Sequence, residues 1–497
     1  MTAQTENHQQ DRLPGAAPTD QDRGFLGQPK VLANIFGIEM WERFSFYGMQ
    51  AIVLLYLYYP ASRGGLGLDE GTAAALIGAY GGLVYLSTIP GAWLADRVLG
   101  SERTLFYSAV MIMAGHIALG AVPGVTGVVL GLLLVGAGSG GLKANATALV
   151  GALYAEGDER RDAGFSIFYL GINIGGLLGP LVTGLLAQEK GFHVGFLAAA
   201  VGMFLGLVQY TVGRRRLPAS AHEVSNPLPA GAAPRLVVLT LGAAAAVAAL
   251  VLTGLVAAEN LATWTMWTIG IGAVALFARI VTSKRIDATE RSRVWAFLPM
   301  FLASTAFWSL FQQQFTVVTI FSDQRLDRDV LGWEMPPTWI QSINPVFIIL
   351  LAGVFAAMWT RLGSRQPSTP AKFAIGTALM GVAFLLFLPM AGGGPGSAPL
   401  LGLIGILLVF TLAELFLSPV GLSMATKLAP QAFRTQMVSL FFLSVALGSV
   451  AAGWLGKFYA AERETAYFGV LGALSLGVGV LLFLARRPVQ RLMAGVH

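Results

Sequence analysis

An all-α integral membrane fold with fourteen transmembrane helices is predicted by three features of this sequence. Of its 497 residues, 55% are hydrophobic and only 12% charged, with a mean hydropathy of +0.68, a balance that cannot cover a soluble globule with polar surface. Apolar runs of about twenty residues recur along almost the whole chain, each long enough as a helix to cross a hydrocarbon core of about 30 Å. The 61 glycines suit helices that must approach closely where lipid gives no hydrophobic incentive to associate. Strands of a β-barrel would be about half as long and would alternate.

The chain opens on a polar stretch without an apolar core, so residues 1–29 are expected to form a disordered cytoplasmic tail rather than a cleavable signal. Six apolar segments follow, at about 31–59, 72–95, 103–122, 125–153, 163–187 and 193–213, and make a first six-helix bundle over 30–213. A polar, proline-containing linker over 214–235 leads to two bland segments at about 236–257 and 262–283, taken as inserted helices within 236–293. Six more, at about 294–322, 336–361, 370–390, 399–427, 432–459 and 466–486, form a second bundle over 294–487, with a cytoplasmic tail over 488–497.

Placing both termini in the cytoplasm puts most basic residues near span ends inside, among them Arg97, Arg103, Arg160, Arg161, Arg361, Lys372 and Arg434, against Arg63, Lys190, Arg325, Arg328, Lys457 and Arg463 outside. Asp96-Arg97-Val98-Leu99-Gly100-Ser101-Glu102-Arg103 after the second segment is echoed by Arg361-Leu362-Gly363-Ser364-Arg365 at the matching place in the later half. Duplicated six-helix halves are a transporter architecture. A basic turn could also arise twice from the charge rule alone.

The cysteine-free composition excludes disulfides, thiolate metal sites and catalytic thiols. The net charge of +6 lies in short segments between apolar runs, which marks topology and not nucleic-acid binding. The five histidines, His8, His116, His193, His222 and His497, are scattered, so no constellation for an intramembrane enzyme or a metal is expected.

Ionisable groups within spans each cost at least about 2.5–3.5 kcal/mol at mid-bilayer and are functional candidates by default. Glu39, Arg43, Tyr47 and Gln50 share one helical stripe of the first span, with Glu42 beside them. Two carboxylates around one arginine leave a surplus charge that can take up a proton; the plainer alternative is a static ion cluster. Lys143 lies midway along the small-residue run of the fourth span, facing a cavity or else snorkelling to the headgroups. Ser166, Tyr169 and Asn173 form a polar stripe on the fifth span, either cavity lining or interhelical glue. Glu414 is the deep carboxylate of the later half, followed by Ser418 and Pro419. Cations in one half and an anion in the other match a zwitterion bridging both, as a short peptide or amino acid would. Trp308, Gln312 and Asn344 add polar and aromatic surface at corresponding depth, though each alone is more often packing.

On Glu39-x-x-Glu42-Arg43-Phe44 with Tyr47-Gly48, and on Phe165 to Gly175, the sequence resembles the proton-dependent oligopeptide transporter family of the major facilitator superfamily over about residues 30–490. Gly91-Ala92-Trp93-Leu94-Ala95-Asp96-Arg97 resembles the superfamily's loop motif between helices two and three, and the two extra spans resemble an insertion in bacterial members. The resemblance implies two six-helix bundles and alternating access with proton-coupled uptake of di- and tripeptides across the bacterial inner membrane. It implies proton coupling at Glu39, Glu42, Arg43 and Lys143, and a peptide pocket of Arg43, Tyr47, Tyr85, Lys143, Asn173, Trp308, Asn344, Glu414 and Ser418. The partners expected are peptide, proton and lipid bilayer, with no metal or organic cofactor, in a monomer.

The sequence departs from the family where many members have an arginine at Gln50 and a carboxylate near Gln312, an outer gate between helices one and seven. Both positions are neutral here, which suggests a gate closed by amide contacts. Phe46 and Phe441 likewise replace a common tyrosine and tryptophan. A carrier of nitrate, another anion or a modified amino-acid compound is the competing cargo reading, and Glu414 favours an amine-bearing cargo.

Overall fold

A computed structural model describes residues 24–155, 158–229 and 231–496. Most of the expected N-terminal tail therefore lies outside the described residues. The first bundle comprises α1 (Lys30–Tyr58), α2 (Glu70–Leu94), α3 (Ser101–Ala121), α4 (Gly124–Ala152), α5 (Arg160–Lys190) and α6 (Phe192–Gly213). After the linker come α7 (Ala232–Leu252) and α8 (Leu261–Val281). The second bundle holds α9 (Ala288–Phe311) continued by α10 (Val317–Arg325), then α11 (Ile343–Leu362), α12 (Thr369–Leu385), α13 (Leu400–Lys427), α14 (Arg434–Gly456) and α15 (Glu464–Leu484), before the short α16 (Arg486–Leu492).

Among the described residues, twelve helical stretches are long and apolar enough to cross a membrane. Two bundle-length helices stand outside those twelve, α1 and α7, and complete fourteen. α1 falls short because Glu39, Glu42, Arg43 and Gln50 sit inside it. Each bundle buries its polar residues against neighbours and turns large apolar side chains outward, such as Val201, Val212, Leu350, Leu401, Leu474 and Leu484, the inversion expected of a lipid-facing surface.

The two bundles repeat one packing scheme. α1 packs on α5, α2 on α4, and α3 on α4 and α6; correspondingly α9 packs on α14, α11 on α13, and α12 on α13 and α15. The bundles meet along α2 with α14 and along α5 with α11, a two-fold arrangement that gives the sequence echo its structural counterpart. Close approach is set by glycine. A Cβ on Gly78 would lie 2.5 Å from Gly453 Cα across the α2–α14 seam, and one on Gly175 would lie 2.2 Å from the Met40 carbonyl oxygen across α1–α5. The inserted α8 packs from outside on α2, α14 and α9.

The structure interrupts the span expected over 294–322. α9 ends at Phe311, Gln312–Phe315 form a 3₁₀ turn, and Thr316 takes φ −129° and ψ −98° before α10 restarts. The run Thr316-Val317-Val318-Thr319 is β-branched and a poor helix former, and the three preceding glutamines offer the backbone competing partners. Interrupted helices at membrane depth are tolerated where they line a cavity.

Candidate functional site

One cavity of about 220 Å³ lies between the bundles, and among the described residues α1, α2, α4, α5, α9, the α9–α10 turn, α11, α13 and the turn before α11 supply its lining. Drug-sized ligand pockets run to roughly 300–1,000 Å³, so in this conformation the space suits a small solute. Tyr47, Gln50, Tyr85, Lys143, Asn173, Trp308, Gln312, Asn344, Glu414 and Ser418 all line it. Residues nearly 370 positions apart in sequence thus meet because the two bundles face each other across one seam.

Beneath the cavity wall, Arg43 Nε donates to Glu39 Oε1 at 2.8 Å and stands 3.2 Å from Glu42 Oε2. Ser139 on α4 donates to Glu42 Oε1 at 3.3 Å. Arg43 does not itself line the cavity; it is 6% exposed, tied down by both glutamates just behind Tyr47. Glu39 Oε2 and Glu42 Oε2 are buried without a hydrogen-bond donor, so the Arg43–Glu42 approach is attraction of charge without aligned bonding. The Lys143 carbonyl accepts from the Thr147 hydroxyl at 3.3 Å, while its ammonium meets two aromatic rings. That ammonium rests 4.8 Å from the centre of the Tyr85 ring and 5.0 Å from that of Phe46, a cation held by π faces and left free for an anion. Phe46, which stands where a tyrosine is common in the family, therefore forms half of the lysine's seat.

Across the cavity, Asn344 donates to Glu414 Oε2 at 3.1 Å and to Thr411 Oγ1 at 3.0 Å. This aims the one carboxylate that the facing bundle brings to the described lining with a single neutral donor. Asn173 spends one donor on the Tyr169 carbonyl at 2.9 Å, and Tyr47 stacks on Phe315 with ring centroids 6.0 Å apart. Ser166 bonds to the Asp162 carbonyl and takes no part in the lining.

The hydrogen bonds described between the bundles gather at the end away from Arg97 and Arg361. Tyr58 and Tyr59 both donate to Asp323, Tyr59 at 2.7 Å. Gln324 donates to Glu70, Gln188 to the Glu334 carbonyl, Trp339 to the Leu181 carbonyl and Ser342 to the Leu177 carbonyl. That end is closed. The amide contact expected between Gln50 and Gln312 is not formed: Gln312 donates to Ser449 at 3.0 Å, and Gln50 Oε1 is buried with no partner. The closure lies farther out on the same two helices.

Asp96 and Arg97 lie far from the cavity, at the opposite end. The Asp96 and Arg97 carbonyls accept from the Asn226 and Leu228 amides, and the Arg97 side chain donates to the Asn226 carbonyl, so the loop motif clasps the linker. Sequence reasoning missed Gln314, Gln341, Phe311 and Phe315 as lining. A Gln-Gln-Gln run inside an apolar segment was the available signal for Gln314; nothing short of the fold distinguishes Gln341 from an interfacial glutamine. Among the described residues no group of His, Asp and Glu is placed to hold a metal ion.

The family model described as PTR2, POT family, matches residues 102–472. The chain is 43% identical over 478 residues to an uncharacterized transporter, YclF, of Bacillus subtilis, covering 95% of this chain and 97% of that one. It is 38% identical to a di-/tripeptide transporter of Lactococcus lactis subsp. cremoris, with 96% and 99% covered. A crystal structure of the peptide transporter POT in complex with sulfate superposes with a TM-score of 0.91 at 45% identity, over 95% of this chain and 98% of that one. This chain belongs to the POT family of membrane transporters.

Proposed function

We propose that the protein imports di- and tripeptides with protons by alternating access, as a monomer in a bacterial inner membrane with both termini in the cytoplasm. The observation that carries this reading is the opposition of Lys143, backed by Arg43, to Glu414 across one small cavity. A peptide's carboxylate belongs on the first pair and its ammonium on Glu414, each contact replacing hydration lost on entry. The di-/tripeptide name of the Lactococcus relative agrees.

Charge balance supports proton coupling. Glu39, Glu42 and Glu414 against Arg43 and Lys143 sum to −1 when all are ionised. A zwitterion adds nothing, so one proton brings the loaded cavity to neutrality. When the peptide carboxylate engages Arg43 and Lys143, the glutamates lose part of their counter-charge, and Glu42, which approaches Arg43 without the aligned hydrogen bond that Glu39 accepts, is the group we assign the proton. The proton is then the sole coupling ion, with no metal or organic cofactor, and the cargo crosses unchanged. The distribution of basic loops favours an outer position for the closed end, which on this reading makes the conformation closed to the outside.

The test is uptake of a labelled dipeptide into proteoliposomes with and without an inward proton gradient, for the wild type and Glu42→Gln. Accumulation that needs the gradient and disappears in the variant is expected. Uptake indifferent to the gradient would remove proton coupling, and no uptake of any dipeptide would remove the peptide assignment.

A further inference from the structure

The part of the cavity nearest its closed end is built from carboxamides. Gln50 on α1 lies one turn beyond Tyr47; Gln314 comes from the break between α9 and α10, and Gln341 from the 3₁₀ turn before α11. All three line the cavity and are 3–6% exposed. Hydrogen bonding among them is incomplete. Gln341 Nε2 donates to Thr319 at 2.9 Å while its Oε1 has no partner. Gln50 Oε1 has none either. Beside them the buried Trp308 Nε1 is a donor without an acceptor.

Buried polar groups are nearly always satisfied, and each exception needs a cause. Leaving one unmade wastes its desolvation, which a bound group of matching polarity recovers. A primary amide reads as donor or acceptor according to which way it is turned, so three of them with an indole N–H suit a partner that both gives and accepts. Lys143 and Glu414 are on the same cavity, and the two termini of a peptide would occupy them. What remains to meet the amides is a side chain.

Building on the peptide reading, we propose that Gln50, Gln314 and Gln341, with Trp308 Nε1, form a subsite that selects peptides carrying an uncharged hydrogen-bonding side chain, a hydroxyl or carboxamide, over isosteric aliphatic ones. An aliphatic side chain displaces water from these amides and returns no bond. The sequence carries the same idea in its neutral Gln50 and Gln312, since a charged pair there would hold its own partners and leave nothing to offer.

Competition against uptake of labelled Ala-Ala into proteoliposomes tests this with shape-matched pairs, Ala-Thr against Ala-Val and Ala-Asn against Ala-Leu. Thermal stabilisation of the purified protein by the same peptides gives a second readout that does not require turnover. The wild type should favour the polar member of each pair by about fivefold or more, the worth of one neutral hydrogen bond. Gln50→Leu and Gln341→Leu should bring that ratio to within about twofold. Gln50 Oε1 gives up no hydrogen bond to the protein when replaced, so a changed ratio in Gln50→Leu reports a lost cargo contact, whereas a merely structural residue would shift both members together. Equal competition by polar and aliphatic members in the wild type overturns the subsite, as does a preference that survives in both variants. Failure of wild-type protein to bind or take up Ala-Ala overturns the peptide reading itself, a result distinct from any change in rank order.

Discussion

The two bundles share a packing scheme and differ in chemistry. Around the seam the first contributes Glu39, Glu42, Arg43 and Lys143, four ionisable groups within two helices, while the second contributes Glu414 and a set of amides and aromatic rings. Both bundles keep the same pairing of helices, and at Gly78 and Gly175 close packing leaves no room for a Cβ. The cavity faces diverge. The division of labour we propose follows: the charge-rich bundle moves a proton among its own groups, and the charge-poor one supplies a single anion to the cavity and, together with Gln50 of α1, the hydrogen-bonding surface that distinguishes cargo.

That asymmetry can be broken from either side, and the largest effects are expected there. Lys143→Ala should weaken binding of a free dipeptide about tenfold to a hundredfold, the worth of a charged hydrogen bond, and should leave its C-terminal amide unaffected. Glu414→Gln should do the same for the free dipeptide and spare the N-acetylated form. Competition assays with the two blocked peptides read this directly. If both variants lose both blocked peptides equally, the division between bundles is wrong.

A smaller effect is expected at the closed end, where the bundles are joined and not opposed. Asp323 on α10 accepts from Tyr58 at the end of α1 and from Tyr59 just after it, with Arg328 3.7 Å away and the Gln324–Glu70 bond alongside. Hydroxyl donors to a carboxylate are stronger than those to a neutral acceptor. Asp323→Asn should therefore shift the population toward the outward-open form by about tenfold, corresponding to roughly 1.4 kcal/mol. Because the chain has no cysteine, a single Gln50→Cys is a unique reporter, and its labelling by an impermeant thiol reagent from outside should speed up in the Asp323→Asn background. Unchanged labelling would mean that the outer closure is carried elsewhere.

These comparisons also mark what a sequence can reveal. Spans and their halves were legible because lipid imposes a length and an apolar composition on each helix, and the deep charges were legible because they violate it. Glu39, Glu42, Arg43, Lys143 and Glu414 stand out in one dimension for that reason. The closure at Tyr58, Tyr59 and Asp323 was hidden because tyrosines and a carboxylate at span ends are ordinary interfacial residues until the fold brings α1 and α10 together. Gln341 was hidden for the same reason. The break after Phe311 was hidden because hydropathy does not register a turn of apolar and amide residues, although the β-branched run beside it carried the signal.

The smallest effect concerns how corresponding helices begin. α2 starts from Asp69, whose Oδ1 accepts from the Thr72 amide at 2.9 Å, whereas its counterpart α11 is entered through the 3₁₀ turn Pro337–Ser342 with no side-chain cap. Bonds from Thr72 hold the Asp69 carboxyl below the usual carboxylate range. A group whose folded-state value is depressed stabilises fully above its unfolded value, near pH 3.9, and that contribution fades as pH falls through the folded value. Asp69→Ala should cost about 1 kcal/mol at neutral pH, seen as a lower midpoint of thermal unfolding in detergent. Asp69→Asn, which can still cap, should keep most of the stability and lose the acid sensitivity at this site. If Asp69→Ala unfolds at the wild-type temperature, α2 is held at its entrance by packing alone, as α11 is, and this difference between the bundles carries no energetic weight.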